Sequence, residues 1–425
     1  MKRLFTSIGI LSLTLLIAVG CGSGDNGGAD GEEVTISVFN IKVETRDQLE
    51  ALIATYEDDN PHVNIDLTTV GGGEDAPSAL QARFASGEDP NIITLGGLSD
   101  VETYQDYLTD VSDMASAQTA IEGTLEGATL DGTPYGIPLN IEGFGWMINR
   151  EIFNQAGVDP DAIHSYQDFV SAVETIDSQK EELGLEAVFA FSGAEDWVVS
   201  QFSAHFSSAE FNHSVIDAYE AESLTYQYGE RLQDYTDLIN QYNVQPILSL
   251  DYSTSVEDLF VNDRAAIIHQ GNWIIPTLMD IDPDFVTNKL GILPLFIESD
   301  DQGVMAAGPS WFWGVNGQKS EAEIEASKDF LDWMYTSEYG KEMIMTDFRY
   351  IPAHEDYDPD LIEDELSQEI YQTLLNDQTA IWANNLYPDG FFNTVLFPEF
   401  QKYLNGDISW DDFKEVTSTQ YSQMR

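Results

Sequence analysis

Two hydrophobic periods alternate between Val34 and Leu95, and that alternation narrows the fold more than any other feature of this 425-residue chain. Val34–Asn40 carries apolar side chains at every second position, the mark of a half-buried strand. Thr45–Asp59 switches to helical spacing, with Leu49, Leu52, Ile53 and Tyr56 on one face, and Pro61 ends it. Strand periodicity returns over His62–Val70, followed by a loop at Gly71–Gly73. Pro77–Ala85 reads as a helix that buries Leu80 and Phe84, and Asn91–Leu95 as a short strand closing on Gly96-Gly97. Strands separated by helices predict a mostly parallel sheet with α/β layering.

The same vocabulary continues. Phe144–Asn149 reads as a strand, and Arg150–Ala156 as a helix with Gly157 at its C-cap. Ser165–Ile176 is expected to be a helix with Phe169, Val170 and Val173 inward, opened by a capping-box-like Ser165 and Asp168. Glu186–Phe191, Ala265–His269 and Trp311–Asn316 read as strands, Glu257–Asn262 as a helical turn, and Glu321–Tyr335 as a helix. From about Leu361 the pattern is helical, with one aromatic interruption. There is no short internal repeat.

Charge bounds the partners. The chain holds 75 Asp and Glu against 17 Lys and Arg, a formal net charge of −58. Phosphate binding needs a basic surface, so nucleic acid is excluded as a partner. With 43% apolar and 12% aromatic residues the chain can still build cores. Such an excess of one sign destabilises a compact state unless salt screens it, and at about 1 M salt the Debye length is about 3 Å. The acidity is spread along the whole chain from Asp25 onward, which reads as adaptation to a salty medium outside the cell. A surface for cations or basic partners is the rival reading, and no single run concentrates the charge enough to favour it.

The N-terminus reads as an address. Lys2 and Arg3 precede an apolar run to Ile17, then Ala18-Val19-Gly20 and Cys21, the only cysteine. Charged, apolar and small-residue regions in that order make residues 1–20 a signal peptide. A cysteine just after such a cut is the diacylglycerol acceptor in the bacterial lipoproteins that this segment resembles, although Ala18 stands where Leu is usual. The run is too short and too rich in Ser and Thr for a spanning helix. Residues 21–33 follow as the lipidated cysteine and a Gly- and Asp-rich flexible tether. No cysteine is left for a disulfide, so the fold stands on packing. Roughly 400 residues remain, enough for two or three domains at ~150 residues each. Asp280, Asp282 and Asp284 imitate the start of an EF-hand loop, but Phe285 and Gly291 stand where Gly and Glu are required. The 6 histidines are scattered, and neither a metal nor a cofactor is expected.

Four further stretches carry a resemblance. They are Ala82–Ile93, with Asn91 where Asp is usual; Gly132–Pro138 followed by Ile148–Phe153 and Ala156-Gly157; Phe260–Ile268 running into Gly271-Asn272-Trp273; and Ile351-Pro352 with the helical C-terminus. In this order they resemble the family 1 extracellular solute-binding proteins, which deliver substrates to ABC importers. The resemblance implies a two-lobed α/β fold of the periplasmic-binding-protein type (type II), with lobes joined by hinge strands and a ligand cleft between them. It places residues 34–139 and 303–350 in the first lobe and 140–298 and 351–425 in the second. It also implies a lipid-anchored, non-catalytic monomer on the outer face of the cytoplasmic membrane, with a carbohydrate ligand and the transmembrane subunits of a permease as partners. Pro138–Gly145, Gln270–Trp273 and Tyr387–Gly390 look most like oligosaccharide-binding members, the raffinose and α-galactoside type included.

Ligand sites of α/β proteins lie beyond the carboxyl ends of strands. That places Asn40 and Lys42 after the first strand, and Gly96, Gly97 and Asp100 after the third, at the site. Asn140 and Glu142 follow the Tyr-Gly-Ile-Pro segment; Glu142 is either a sugar-binding acid or a solvated hinge carboxylate. Trp273 is the foremost candidate, because a sugar's C–H face stacks on an aromatic plane while its hydroxyls need polar partners such as Gln270 and Asn272. Trp197, Trp311, Phe312, Trp382 and Phe391 are wall candidates, each with core packing as its rival role. Arg349 either serves the cleft or pairs with one of the many carboxylates. Two other function classes stay open: a lipid-anchored glycoside hydrolase, which needs a spaced carboxylate pair that 75 acids cannot help supplying, and a receptor for a solute other than sugar.

Overall fold

The computed structural model describes residues 33–70, 76–376 and 379–425. The signal segment, Cys21, most of the tether and the Gly71–Gly73 loop lie outside the described residues.

Among the described residues the strands run β1 (Val34–Asn40), β2 (Val63–Thr69), β3 (Ile92–Leu95), the small hairpin β4 (Thr129–Leu130) and β5 (Thr133–Pro134), β6 (Gly136–Pro138), β7 (Ile141–Asn149) and β8 (Ala187–Phe189). They continue with β9 (Ala265–Gly271), β10 (Leu290–Leu293), β11 (Leu295–Phe296), β12 (Gly303–Pro309), β13 (Phe312–Val315) and β14 (Thr379–Ala380). Two sheets organise them. The first has five strands in the order β2-β1-β3-β13-β6, and the second has seven, built on the path β11-β12-β7-β9-β8 with β10 on β7 and β14 on β12.

The parallel arrangement expected from the alternating periods holds for β2-β1-β3. It also holds for β8 beside β9 and for β14 beside β12, and the remaining pairs correct it. β13 is antiparallel to β3 and β6, and β7 is antiparallel to β9, β10 and β12. The reason is the path of the chain, which leaves one sheet and re-enters it from the other, so returning strands run the opposite way.

Three segments cross between the sheets. Leu139-Asn140 joins β6 to β7, and Ser310-Trp311 joins β12 to β13. The third begins at Ile351, whose carbonyl accepts from the Ile141 N–H at 2.8 Å. The chain stays on the first lobe through Ala353, whose carbonyl accepts from the Ile121 N–H at 2.9 Å, and reaches the second sheet only with the helix Glu365–Leu375, later than the boundary expected at 351. The Leu139 N–H donates to the Trp311 carbonyl at 2.9 Å, and Tyr335 Oη donates to the Leu139 carbonyl at 2.8 Å, so the crossings are tied to one another. Residues 303–309 were expected in the first lobe. They lie instead in the second sheet, where 306–309 pair with β7, Ala306 opposite Phe144, and 303–304 pair with β11, and Met305, Ala306 and Ala307 are buried.

Local signals account for most helices. Helix Arg46–Asp59 buries Leu49, Leu52, Ile53 and Tyr56, the face its spacing predicts. Ser165 caps Tyr166–Ser178 by accepting from the Asp168 N–H. Phe84, expected inside, is half-buried and stacks on Tyr104 with ring centroids 4.8 Å apart. Behind the second sheet, Trp146 packs among Phe169, Phe189, Phe202, Tyr235 and His269, an aromatic floor for whatever β7 and β9 present on their other side.

Candidate functional site

The ends of β1, β3 and β9, the start of β7 and two of the crossings meet at one place. β1 ends at Asn40, whose side chain shapes the turn that follows. Its Oδ1 accepts from the Lys42 N–H at 3.1 Å, and its Nδ2 donates to the Lys42 carbonyl at 3.1 Å and to Thr69 Oγ1 at 3.2 Å. Asn40 is therefore committed to backbone shape.

That turn sends Lys42 inward. Its Nζ lies 2.5 Å from Glu142 Oε1 and 3.6 Å from Glu44 Oε1. Ser310 Oγ donates to Glu142 Oε2 at 2.6 Å, and Asn140 Nδ2 donates to Glu142 Oε1 at 3.4 Å. A buried ion pair recovers its desolvation cost only when hydrogen bonds satisfy the remaining lone pairs, and Ser310 and Asn140 do that here. Burial pulls the Lys42 pKa down, but the Glu142 and Glu44 carboxylates outweigh it and the net shift is upward, so the ammonium stays charged. Burial raises the Glu44 carboxyl, against the pull of Lys42. Glu142 is thus neither solvated nor unpaired.

Beyond β3, Gly97 adopts φ 143°, where a side chain would strain the backbone. The Gly96 N–H donates to Asp100 Oδ2 at 2.7 Å, and a methyl on Gly96 would come within 3.1 Å of the Trp311 ring. Burial raises the Asp100 carboxyl, the Gly96 N–H draws it back, and the charge of Asp389 raises it further.

β9 delivers the aromatic wall. Asn272 Oδ1 accepts from the Gly143 N–H at 2.9 Å, which fastens the end of β9 to β7. The Trp273 ring folds back over Gly271, where any Cβ would collide with the ring and stand 2.5 Å from the Gly143 carbonyl. Trp273 Nε1 donates to Gln270 Oε1 at 2.9 Å. Ring centroids place Trp273 5.9 Å from Trp382, 6.1 Å from Phe144 and 6.3 Å from Trp197, and Trp197 Nε1 donates to Glu195 Oε2 at 3.1 Å. Trp273 and Trp197 remain half-buried whereas Trp382 is buried.

Among the described residues, Asn140 Oδ1, Gln270 Nε2, Trp382 Nε1 and Asn384 Oδ1 at this junction are buried without a hydrogen-bond partner. Each such group left unmade costs about 1–3 kcal/mol. Donors and acceptors both stand ready beside an aromatic plane.

The structure therefore brings Lys42, Gly97, Asp100, Asn140, Glu142, Trp311, Trp197, Gln270, Asn272 and Trp273 into one connected neighbourhood, with Asn40 and Asn272 serving as supports. Arg349 is not among them: its Nη1 donates to Glu363 Oε2 at 2.8 Å in a separate, exposed ion pair. Sequence reasoning missed Ser310, Asn384 and Asn385. Asn385 Nδ2 donates to the Ser310 carbonyl at 3.0 Å, and Asn384 Nδ2 to Asn385 Oδ1 at 3.0 Å. The aromatic interruption of the C-terminal helices was their one signal, since that break carries Trp382 and both asparagines.

Comparison with known proteins agrees with this geometry. Residues 51–369 match the family model for the bacterial extracellular solute-binding protein. The "Multiple sugar-binding protein" of Streptococcus mutans serotype c is 22% identical over 293 residues, spanning 65% of this chain and 66% of the relative, just under two thirds of its length. The "Arabinooligosaccharide-binding protein" of Halalkalibacterium halodurans is 24% identical over 366 residues, spanning 80% of this chain and 76% of that one. A solved structure, the solute-binding protein RafE in complex with raffinose, superposes with a TM-score of 0.75 at 17% identity over 92% of this chain and 99% of the other. The family model covers most of the chain, and the chain belongs to the bacterial extracellular solute-binding protein family.

Proposed function

We propose that this protein is the substrate-binding lipoprotein of an ABC importer and that its cleft captures a carbohydrate, an oligosaccharide, by hinge closure. The observation that carries this reading is the half-buried Trp273 plane beside the unpartnered Gln270 Nε2. An apolar C–H face fits the ring while hydroxyls, which both donate and accept, fit the orphan amides. The names of relatives that bind several sugars, arabino-oligosaccharides or raffinose support the same class. Three crossings supply the hinge, and the ligand favours the closed form through contacts made with both lobes.

The ligand leaves unchanged. Glu142, the acid best placed for chemistry, already accepts from Lys42 and Ser310, which is a supporting arrangement more than a catalytic one. Titration with a panel of oligosaccharides, followed by tryptophan fluorescence and by product analysis, tests this: a saturable change without product is expected, and turnover would replace the reading with a glycoside hydrolase.

Cys21 carries the lipid in this reading, keeping a monomeric receptor near its permease at high effective concentration. Mass spectrometry of the native N-terminus is expected to show a diacylated Cys21. The net charge of −58 matches a salty exterior. The melting temperature is accordingly expected to fall as NaCl is lowered from molar to millimolar, and a flat profile would remove the halophilic part.

A further inference from the structure

The charges at the junction are one-sided. Lys42 is the cation placed there, and two carboxylates, Glu142 and Glu44, lie within 3.6 Å of its Nζ, so that group carries a net negative charge. The other described cations are engaged elsewhere. Arg349 is held by Glu363, Lys319 by Asp89, Lys289 by Glu151 and Asp263, and Arg425 spends its guanidinium on the Ala218 and Leu386 carbonyls. Further carboxylates lie on the elements that meet here. Asp100 and the Trp311 ring both flank Gly96, Asp389 belongs to the segment that carries Asn384 and Asn385, and Glu195 holds the Trp197 indole. The unpartnered atoms of Asn140, Gln270, Trp382 and Asn384 are uncharged, so they match hydroxyls and acetamides but cannot balance an anion.

We infer that the cleft accepts uncharged saccharides and rejects carboxylate-bearing ones, and that Glu142 is a specificity-determining residue because it occupies the ammonium that an acidic sugar would need. This inference rests on the carbohydrate reading above. A uronate entering the closed cleft would meet Asp100 and Glu142 with no free cation, and like charges brought together away from water oppose binding. Removing the Glu142 charge leaves Lys42 balanced by Glu44 alone and turns its Nζ into an available donor.

The test is calorimetry with paired panels, at a salt concentration where circular dichroism shows the folded protein. The neutral panel is raffinose, stachyose, arabino-oligosaccharides and chito-oligosaccharides; the acidic panel is oligogalacturonates and glucuronate-substituted xylo-oligosaccharides. Binding within the neutral panel only is expected. Glu142→Gln is expected to improve the ratio of acidic to neutral affinity by 10-fold or more. Should that variant not fold, Asp100→Asn deletes one negative charge without touching the buried pair, and it is expected to move the ratio in the same direction. An acidic saccharide that binds the unaltered protein as tightly as the best neutral one overturns the inference and leaves the carbohydrate reading standing. A ratio unmoved in every folded variant overturns the role of charge. Binding of no saccharide from either panel overturns both readings.

Discussion

Trp273→Ala is expected to weaken carbohydrate binding by more than ~100-fold while the protein stays folded. The ring supplies the stacking plane, and its Nε1 also holds Gln270 Oε1 at 2.9 Å, which aims the orphan Nε2. Loss of the aromatic surface and of one buried hydrogen bond together removes about 3 kcal/mol, more than 100-fold in Kd. Trp273→Phe keeps a plane and loses the N–H, so its affinity is expected to fall between the two. Calorimetry of both variants, with a thermal melt to confirm folding, checks this. An affinity for the Ala variant equal to that of the parent would remove Trp273 from the site.

Acid is expected to unfold the protein earlier than its carboxylates alone require, because it buries histidines in the neutral form. Burial lowers His269 to about 3 and His354 to about 4, and it holds His205 well below the ordinary value. In the unfolded chain each titrates near 6.5, so below that pH the unfolded state binds more protons. Stability from these groups is therefore complete above pH 6.5 and lost as pH falls toward the folded values. At pH 5, His269 and His354 each remove about 2 kcal/mol. Glu44, Asp100, Asp364 and Glu369 work in the opposite direction: burial raises each of them, so they weaken the fold at neutral pH and cease to do so on acidification. The parent's slope is a difference, and a variant isolates one side of it. Denaturant unfolding at pH 7 and pH 5 is expected to show a loss about 2 kcal/mol smaller for His269→Gln than for the parent, and an equal loss would refute the assignment. The effect reaches the site, because His269 lies on β9 with its ring 5.8 Å from Phe144, two residues before the Gly271 that Trp273 covers.

Much of the fold was legible in the chain. The faces of Arg46–Asp59 and Tyr166–Ser178, the ends of β1 and the glycines after β3 obey local rules of periodicity and capping, which act over a few residues. Strand direction was not legible, because whether β12 pairs with β7 or with the first sheet depends on where the chain goes after it. For the same reason the expected lobe boundary at residue 303 and the observed return at Ser310-Trp311 differ. At the site, Trp273, Gln270 and Glu142 stood out by type and position, whereas their roles did not. Nothing near Glu142 in sequence says that Lys42, 100 residues earlier, will neutralise it, or that Ser310, 168 residues later, will donate to it. Asn40 and Asn272 look like ligand amides in the chain, and the sequence does not show that each also fastens backbone through its Oδ1.

By itself, then, the sequence determined the kinds of element, the acidic character and the family to which the chain belongs, all of which follow from local pattern and composition. The tertiary structure decided which carboxylate is neutralised, which amide atoms are left without partners and which tryptophan stands beside Gln270. Those outcomes depend on side chains meeting across three crossings, and burial then fixes how much each meeting is worth.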